Sequence, residues 1–552
     1  MFSINPRIPI LIFALVLTAG CKNDKPKNKV SKQSNVDTLS DISTNDFREF
    51  KVLDSKFIKK IEMWESLDGQ LADFSNEKYI ALKPFILEKD ISFIQKKISD
   101  GSITYELLTK FYLYRIRKFD RENELSLNAV ISINPKVIAQ ARQKDNELKN
   151  KDEKHPIYGM PILLKDNINT LDLPTTAGAV ALQKNNTENA FITQKLVDNG
   201  ALILGKANLS EWAYYFCGDC PSGYSAIGGQ TLNPYGRRTM DTGGSSSGSG
   251  VAVAANLCVA AVGSETAGSI LSPASQNSTV GLKPTIGLLS RTGIVPISST
   301  LDTPGPITKN VSDNAILLDA MKGFDGADFK SIKMNFDVKN YYVNLSSKHL
   351  KGKRFGAFKE LMKDTLYANA IDILKNQGAN IVEISEEKID LPDFLRLLNL
   401  DMKADLSNYF AEYMDEDLKF SSIEDVMALN ETDSINIMPY GQRLFKDVAK
   451  DSATDEEFDA IKSILKTNGK RFFDLPMKAK NLNGILSVNN YHAAEAAVAE
   501  YPALTVPMGY TSQGVPKGLT FISKPMSEKD LLEWGYGFEQ ASKMRKAPEN
   551  YN

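Results

Sequence analysis

The sequence predicts an α/β fold in which a large mixed sheet is covered by helices. Short apolar segments of strand length lie at 128–133, 161–164 and 201–204. Segments with apolar residues at helical spacing lie among them, at 86–118 and 191–200. Strands that alternate with helices are typical of sheets covered on both faces, so these five segments favour an α/β architecture.

The helical segment 86–118 carries a repeating apolar face, made by Ile91, Ile94, Ile98, Leu107, Leu108 and Tyr112. Spacings of three and four residues predict amphipathic helices. The strand at 128–133 leads into a charged helix that we expect to end near Lys151. The strand at 161–164 ends at Lys165, which places a lysine directly after an apolar strand.

Residues 330–480 differ in character from the rest of the chain. Aspartate, lysine and leucine dominate there, and helical spacing recurs at 394–400 and 458–465. Strand-like and turn-like segments resume near Gly484. We therefore predict one domain over 46–552 that carries a helical insertion or cap at 330–480, although a length of 552 residues alone would suggest several domains.

Composition and charge indicate an ordinary enzyme surface. The chain has 66 Lys and Arg against 68 Asp and Glu, a formal net charge of −2, and 42% hydrophobic residues. A near-neutral balance gives no basis for a nucleic-acid partner. The composition permits a large core and leaves the oligomeric state undetermined.

The first twenty residues have the pattern of an export signal. Arg7 precedes the apolar stretch Ile8–Leu17, and small residues follow in Thr18-Ala-Gly-Cys21. Ten apolar residues are too few to span a bilayer but fit the h-region of a signal peptide. Small residues before a cysteine resemble a bacterial lipobox, so we predict a signal peptide over 1–20 and lipidation of Cys21.

An ordinary secretory signal cut near Ala19 or Gly20 is the alternative. In either case the polar segment 21–45 has too few large apolar residues to form a core and is predicted to be a flexible tether. The lipid would hold the enzyme at a membrane through its acyl chains only. The predicted location is that of an exported, membrane-anchored bacterial lipoprotein facing the periplasm or the cell surface.

The cysteines beyond Cys21 do not indicate a metal site. Cys217-Gly-Asp-Cys220 is a C-x-x-C pair without two further ligands at a suitable spacing for zinc. A local disulfide and two free thiols are equally compatible with this pattern. Cys258 lies in an apolar run and is expected to be a buried small hydrophobe. We expect neither a metal nor a cofactor.

Three segments together supply the groups needed for acyl transfer. Lys165 follows Gly159-Met-Pro-Ile-Leu-Leu, Ser245 lies in Gly243-Gly-Ser-Ser-Ser-Gly248, and Ser269 ends Gly263-Ser-Glu-Thr-Ala-Gly-Ser. Acyl transfer requires a nucleophile, a base and donors for the oxyanion. Two serines, a lysine and glycine-rich backbone can meet these needs without histidine, of which the chain has three. An amide or ester hydrolase is therefore the leading hypothesis.

At these residues the chain resembles the amidase signature family, and most closely its branch of bacterial peptide amidases with their plant and fungal relatives. The resemblance extends over about 90–545. Its further motifs are Lys206-Ala-Asn-Leu-Ser-Glu-Trp212, Gly228-Gly-Gln-Thr-Leu-Asn-Pro-Tyr235, Gly281-Leu-Lys-Pro-Thr285, Ser290-Arg-Thr-Gly-Ile-Val-Pro-Ile297, Asp302-Thr-Pro-Gly-Pro306 and Tyr501-Pro-Ala-Leu-Thr-Val-Pro-Met-Gly509.

The resemblance implies the amidase signature fold and a Ser-Ser-Lys triad. Ser269 would attack the substrate carbonyl, Ser245 would relay the proton, and Lys165 would be the final base. It also implies a cis peptide bond between Gly244 and Ser245. The oxyanion would be bound by the backbone N–H groups of Thr266, Ala267, Gly268 and Ser269.

The expected substrate is a small carboxamide, hydrolysed to an acid and ammonia through an acyl-enzyme. Many family members have an arginine two positions after the nucleophile, whereas this chain has Leu271. Leucine cannot bind a substrate carboxylate, which disfavours glutamine amidotransfer and malonamide hydrolysis. Glu265 in place of the commoner aspartate resembles the peptide amidases. We therefore expect C-terminally amidated peptides or amino-acid amides, with aryl or fatty acyl amides as further options.

Two alternatives compete with the triad hypothesis. The run Gly244-Ser-Ser246-Ser-Gly248 matches the nucleophile elbow of α/β-hydrolases, with Ser246 as nucleophile and His349 or His492 as base. The preceding residues are polar, whereas an elbow follows an apolar strand. The second alternative is a lipoprotein that binds amides without hydrolysing them.

Overall fold

The computed structural model describes residues 49–148, 154–333 and 340–552. The predicted signal peptide, lipidation site at Cys21 and tether lie outside these ranges. Within them, no helix combines the length and the apolar character needed to cross a bilayer.

The described ranges contain thirteen strands. They are β1 Val130–Ile133, β2 Pro161–Lys165, β3 Leu202–Ala207, β4 Tyr224–Ser225, β5 Gly229–Gln230, β6 Ala260–Glu265, β7 Val280–Lys283, β8 Thr303–Thr308, β9 Arg354–Phe358, β10 Asn380–Ile384, β11 Gly484–Val488, β12 Ala503–Tyr510 and β13 Pro516–Ile522.

Eighteen α-helices accompany these strands in the described ranges. They are α1 Lys60–Trp64, α2 Asp68–Leu71, α3 Asn76–Ile86, α4 Ile91–Ser99, α5 Tyr105–Phe119, α6 Val137–Glu147, α7 Phe191–Asp198, α8 Ser247–Ala254, α9 Leu271–Gln276, α10 Val311–Met321, α11 Thr365–Asn376, α12 Phe394–Glu412, α13 Ile423–Thr432, α14 Ser434–Ile437, α15 Arg443–Lys450, α16 Asp455–Lys480, α17 Ala493–Val498 and α18 Glu528–Ser542.

Eleven of the strands form one mixed sheet, in the order β1-β3-β2-β6-β8-β7-β12-β13-β11-β9-β10. Strand β2 is parallel to both β3 and β6, and β9 is parallel to β10 and β11. The remaining pairs in this sheet are antiparallel. The predicted large mixed sheet is confirmed.

Helices cover the central strands on both faces. Every residue of β2, β3 and β6 is buried, which is typical of strands with a helical layer on each side. Helices α8 and α9 pack on each other and on the central strands, as α10 and α18 do. The predicted helices at 86–118 and 191–200 are present as α4 and α5 and as α7.

The segment 330–480 is more mixed than its composition predicts. Helices α12 to α16 occupy 394–480 and build a second apolar cluster with residues such as Trp212 and Phe216. The same segment also contributes β9 and β10, which form one edge of the main sheet. The part from residue 394 onwards has the helical character that we expected, whereas the part before it combines β9 and β10 with helix α11. The limits of an insertion stay a prediction.

Arg115 of α5 joins distant parts of the chain inside the core. Its side chain is fully buried and donates hydrogen bonds to the backbone carbonyls of Ala255, Asn256 and Tyr551 and to the hydroxyl of Tyr79. These four groups come from α3, the end of α8 and the C-terminal segment. Their hydrogen bonds therefore depend on one guanidinium.

Replacing Arg115 by methionine should lower the free energy of unfolding by about 3 kcal/mol or more, because several buried carbonyl groups would lose their donor. Urea unfolding followed by circular dichroism measures this change. Arg117→Met is the control in the same helix, since Arg117 forms a partly exposed ion pair with Asp68 and should cost about 1 kcal/mol or less. Equal losses in the two variants would contradict the role given to Arg115.

Candidate active site

The carboxyl ends of two parallel strands form the base of the site. Strand β2 ends at Lys165 and β6 ends at Glu265, and Leu164 is opposite Val262 in the ladder. Parallel neighbours end at the same edge of a sheet, where α/β proteins commonly place ligands. This register brings Lys165 beside Ser264.

Lys165 is fully buried and surrounded by oxygen atoms. Its Nζ lies 2.7 Å from Ser245 Oγ, 2.9 Å from Ser264 Oγ and 3.0 Å from the Ser264 carbonyl oxygen. The side-chain amide of Asn167 donates to Ser264 Oγ at 3.0 Å. The amine is therefore held in place by hydrogen bonds to two serines, one of which is oriented by Asn167.

The electrostatic surroundings of Lys165 favour its neutral form. Burial lowers the pKa of Lys165 to about 7, against a weaker opposite effect of Asp302 and Glu265. No carboxylate in the described ranges forms an ion pair with it. Nearby Lys206 is also fully buried, but its Nζ lies 3.3 Å from Asp166 Oδ1. Of these two lysines, only Lys165 contacts a serine hydroxyl, and only Lys206 forms an ion pair with a carboxylate.

Ser245 lies in the loop that precedes α8 and is completely buried. The Gly244–Ser245 peptide bond is cis, as the family resemblance implies. The Ser245 carbonyl accepts a hydrogen bond of 3.0 Å from the backbone N–H of Ser210. The loop is thereby fixed on one side by backbone contacts and on the other by Lys165.

Ser269 lies in the turn between β6 and α9. Its carbonyl oxygen accepts a hydrogen bond of 3.1 Å from the backbone N–H of Ser246, which joins this turn to the Ser245 loop. Glu265 Oε2 accepts hydrogen bonds from the N–H groups of Ile270 (2.7 Å) and Leu271 (3.0 Å). Ser269 is half-buried, whereas the side chains of Lys165 and Ser245 are fully buried.

The predicted oxyanion donors form the same turn. Of the described groups, none accepts a hydrogen bond from the backbone N–H groups of residues 266–269. Gly268 has φ +102°, and an added Cβ would lie 3.0 Å from Asn490 Nδ2, so glycine is required there. Thr266 donates its hydroxyl to Asp302, which fixes the start of the turn. Four unpaired amides beside Ser269 can receive a developing negative charge.

An open cavity reaches the first residue of this turn. Asn167, Ser245, Ser264 and Thr266 are among its lining residues. Its remaining wall comes largely from the segment 291–304 and from α12 with the residue that follows it.

The elbow hypothesis is wrong on geometry. The Ser246 hydroxyl is buried and donates to the Ser264 carbonyl at 3.0 Å. His349 pairs with Glu533, and His492 Nδ1 lies 2.6 Å from Ser487 Oγ. Neither histidine contacts Ser246 within the described ranges, so no base is available for it.

Cys217 and Cys220 are paired as a disulfide. Cys258 is buried and free, as predicted. No group of three or more His, Cys, Asp or Glu side chains in the described ranges is arranged to hold a metal ion.

The sequence did not indicate a role for Asn167 or Ser264, although Ser264 contacts Lys165 and Asn167 contacts Ser264. For Glu265 the sequence indicated only a resemblance to the peptide amidases, whereas its carboxylate supports the Ser269 turn. The signal for Asn167 and Ser264 was their position: each lies beside the end of a strand, next to a motif that carries Lys165 or Ser269.

Comparisons with known proteins agree on one family. The family model described as Amidase matches residues 108–445. A probable amidase of Arabidopsis thaliana is 36% identical over 480 residues, covering 84% of this chain and 92% of the relative.

Two solved structures extend this similarity to the fold. An amidase family protein from Bacillus anthracis has a TM-score of 0.85 at 36% identity, covering 90% of this chain and 100% of that one. The native peptide amidase from Stenotrophomonas maltophilia has a TM-score of 0.79 at 36% identity, covering 84% and 99%. The chain belongs to the amidase signature family and is an amide hydrolase.

Proposed function

We propose that the protein is a serine amidohydrolase that converts a C-terminal peptide amide or an amino-acid amide to the acid and ammonia. Lys165, Ser245 and Ser269 would form its Ser-Ser-Lys triad. The observation that carries the proposal is the buried contact of 2.7 Å between Lys165 Nζ and Ser245 Oγ. A serine needs a base within hydrogen-bond reach to become a nucleophile at neutral pH.

The neighbours of Lys165 suit a neutral amine. Such an amine has two N–H donors and one lone pair. The carbonyl oxygen and Oγ of Ser264 can accept the two N–H groups, which leaves the lone pair for the Ser245 hydroxyl. In this arrangement Lys165 accepts the Ser245 proton, and Ser245 accepts a proton from Ser269.

Attack by Ser269 Oγ on the amide carbon forms a bond and moves negative charge onto the carbonyl oxygen. The N–H groups of residues 266–269 would bind that oxygen. Collapse of the tetrahedral species breaks the C–N bond, and the proton held on Lys165 returns through Ser245 to the departing ammonia. Water then releases the acid from the acyl-enzyme by the same steps, with the proton passing to and from Lys165 again.

Two observations support the substrate class. Leu271 is buried in an apolar cluster, so no arginine holds a substrate carboxylate at that position. The similarity to the Stenotrophomonas maltophilia peptide amidase supports an amidated peptide or amino-acid amide over a fatty acyl or aryl amide. A silent binding protein is disfavoured because all three triad residues are present.

Ammonia release from amidated di- and tripeptides and from amino-acid amides tests the function directly. We expect turnover of at least one of these classes, and a decrease of about 10³-fold or more in kcat for Ser269→Ala, because the nucleophile is lost. Ser246→Ala is the matched control and should retain most activity. Turnover of aryl esters alone, or of no primary amide, would contradict the proposal.

The pH dependence of kcat/KM tests the role of Lys165. The base must be neutral, so activity should rise with pH through an apparent pKa of about 7 and be lost below it. Above this pKa, Lys165→Met should lower kcat by about 10² to 10⁴-fold, as expected for removal of a general base.

Histidine titrates in the same range, so His155→Gln, His349→Gln and His492→Gln are the controls for this profile. Each should keep the rising limb. If a histidine variant removes the limb, or if Lys165→Met keeps the wild-type rate, Lys165 is not the base.

We also propose that the chain is a lipoprotein exported and anchored through Cys21. Only the sequence of the first 45 residues supports this proposal. Cys21→Ser in the full chain, expressed in a bacterium and labelled with radioactive palmitate, should lose both the label and the membrane-bound fraction. A variant that stays in the membrane fraction without label would contradict lipid anchoring.

A further inference from the structure

One face of α12 follows the cavity wall. Asp401, Asp405, Tyr409 and Tyr413 are spaced by four residues, so they lie on the same side of this helical segment. Asp405, Tyr409 and Tyr413 line the same cavity as Ser245. A carboxylate and two aromatic rings therefore share the space that a substrate would occupy.

Asp405 is a carboxyl group without a basic partner among the described residues. Its Oδ2 accepts a hydrogen bond of 2.5 Å from the backbone N–H of Ser299. Among the described residues, no lysine or arginine forms an ion pair with Asp405 or with Asp401 one turn away. A half-buried carboxylate without a cation beside it favours a positively charged ligand.

The other charged groups of the cavity are already engaged. Arg291 Nε lies 2.9 Å from Asp328 Oδ2, so these two charges compensate each other. Asp302 accepts hydrogen bonds from the Thr266 hydroxyl and from the N–H groups of Ile297 and Ser298. Asp302 therefore stabilises the turn and the loop around it. Asp405 is the cavity carboxylate that remains able to bind a substrate.

The carboxyl groups near Asp405 also favour a cation at this place. Burial, Asp401 and Asp302 together raise the pKa of Asp405 to about 7, against the opposite effect of the Ser299 hydrogen bonds. A cation placed beside Asp405 would stabilise its ionised form. The rest of the wall is largely apolar and includes Ile294, Pro296 and Phe329.

We propose that Asp405 binds an ammonium group of the substrate, so that the preferred substrates are amides with a free amine and an apolar side chain. This inference rests on the proposed amidase function and narrows its substrate class. Amino-acid amides and short peptide amides with an unblocked amino terminus meet both requirements. N-acylated peptide amides lack the cation and meet only one.

Paired substrates test the inference. L-phenylalaninamide, alanyl-phenylalaninamide and alanyl-alanyl-phenylalaninamide are each compared with the N-acetylated form by ammonia release. We expect kcat/KM to favour the free amine by about tenfold to a hundredfold at one or more lengths, the size of a charge-assisted hydrogen bond. Equal rates, or faster hydrolysis of the acetylated form at every length, would overturn the inference.

Asp405→Asn should abolish this preference, because asparagine carries no charge. Asparagine can still accept the Ser299 hydrogen bond. Asp405→Glu should keep part of it. Asp417→Asn removes an exposed charge beyond α12 and should leave the ratio of the two rates at the wild-type value. If Asp405→Asn lowers both rates equally, Asp405 acts only on the structure of the Ser299 loop and the inference fails.

A binding measurement separates this inference from the proposed function. Calorimetry with the Ser269→Ala variant compares L-phenylalaninamide with its N-acetyl derivative, and needs no turnover. Tighter binding of the free amine, lost in Ser269→Ala/Asp405→Asn, would support the ammonium site even if the amidase proposal fails. Equal binding of both compounds would reject the site even if amides are hydrolysed.

Discussion

The site depends on a lysine amine that is buried without a carboxylate partner. Placing an ammonium in such an environment is unfavourable, so the protein structure itself shifts Lys165 towards the form that can accept a proton. The favourable packing of β2 between β3 and β6 must offset the burial of this polar group. The three oxygen neighbours from Ser245 and Ser264 limit that cost because they satisfy its hydrogen-bonding capacity.

The sheet fixes the relative positions of the groups around Lys165. Lys165 and Ser264 belong to neighbouring parallel strands, whose separation is fixed by the hydrogen-bond ladder. Glu265 then holds the following turn by accepting two backbone N–H groups. The groups that would react are therefore placed by main-chain geometry, and only the outer cavity wall depends on the helices of 394–480.

Local patterns in the sequence predicted β2, which ends at the site, and its neighbour β3, because both strands are short and apolar. They did not predict β9 and β10, since β10 is an edge strand with exposed residues and a polar sequence. The association of Lys165 with Ser245 came from family resemblance, as eighty residues separate them. Ser264, Asn167 and Asp405 were missed because their roles arise from strand register and from a long-range helix–loop contact, which no local spacing encodes.

The different exposure of Ser269 and Lys165 has a chemical consequence. An electrophile such as an organophosphorus or carbamate reagent can reach Ser269, which is only half-buried. Reagents that modify surface lysines in water would leave the fully buried amine of Lys165 untouched. Covalent labelling should therefore report on Ser269, while Lys165 is protected by the same burial that favours its neutral form.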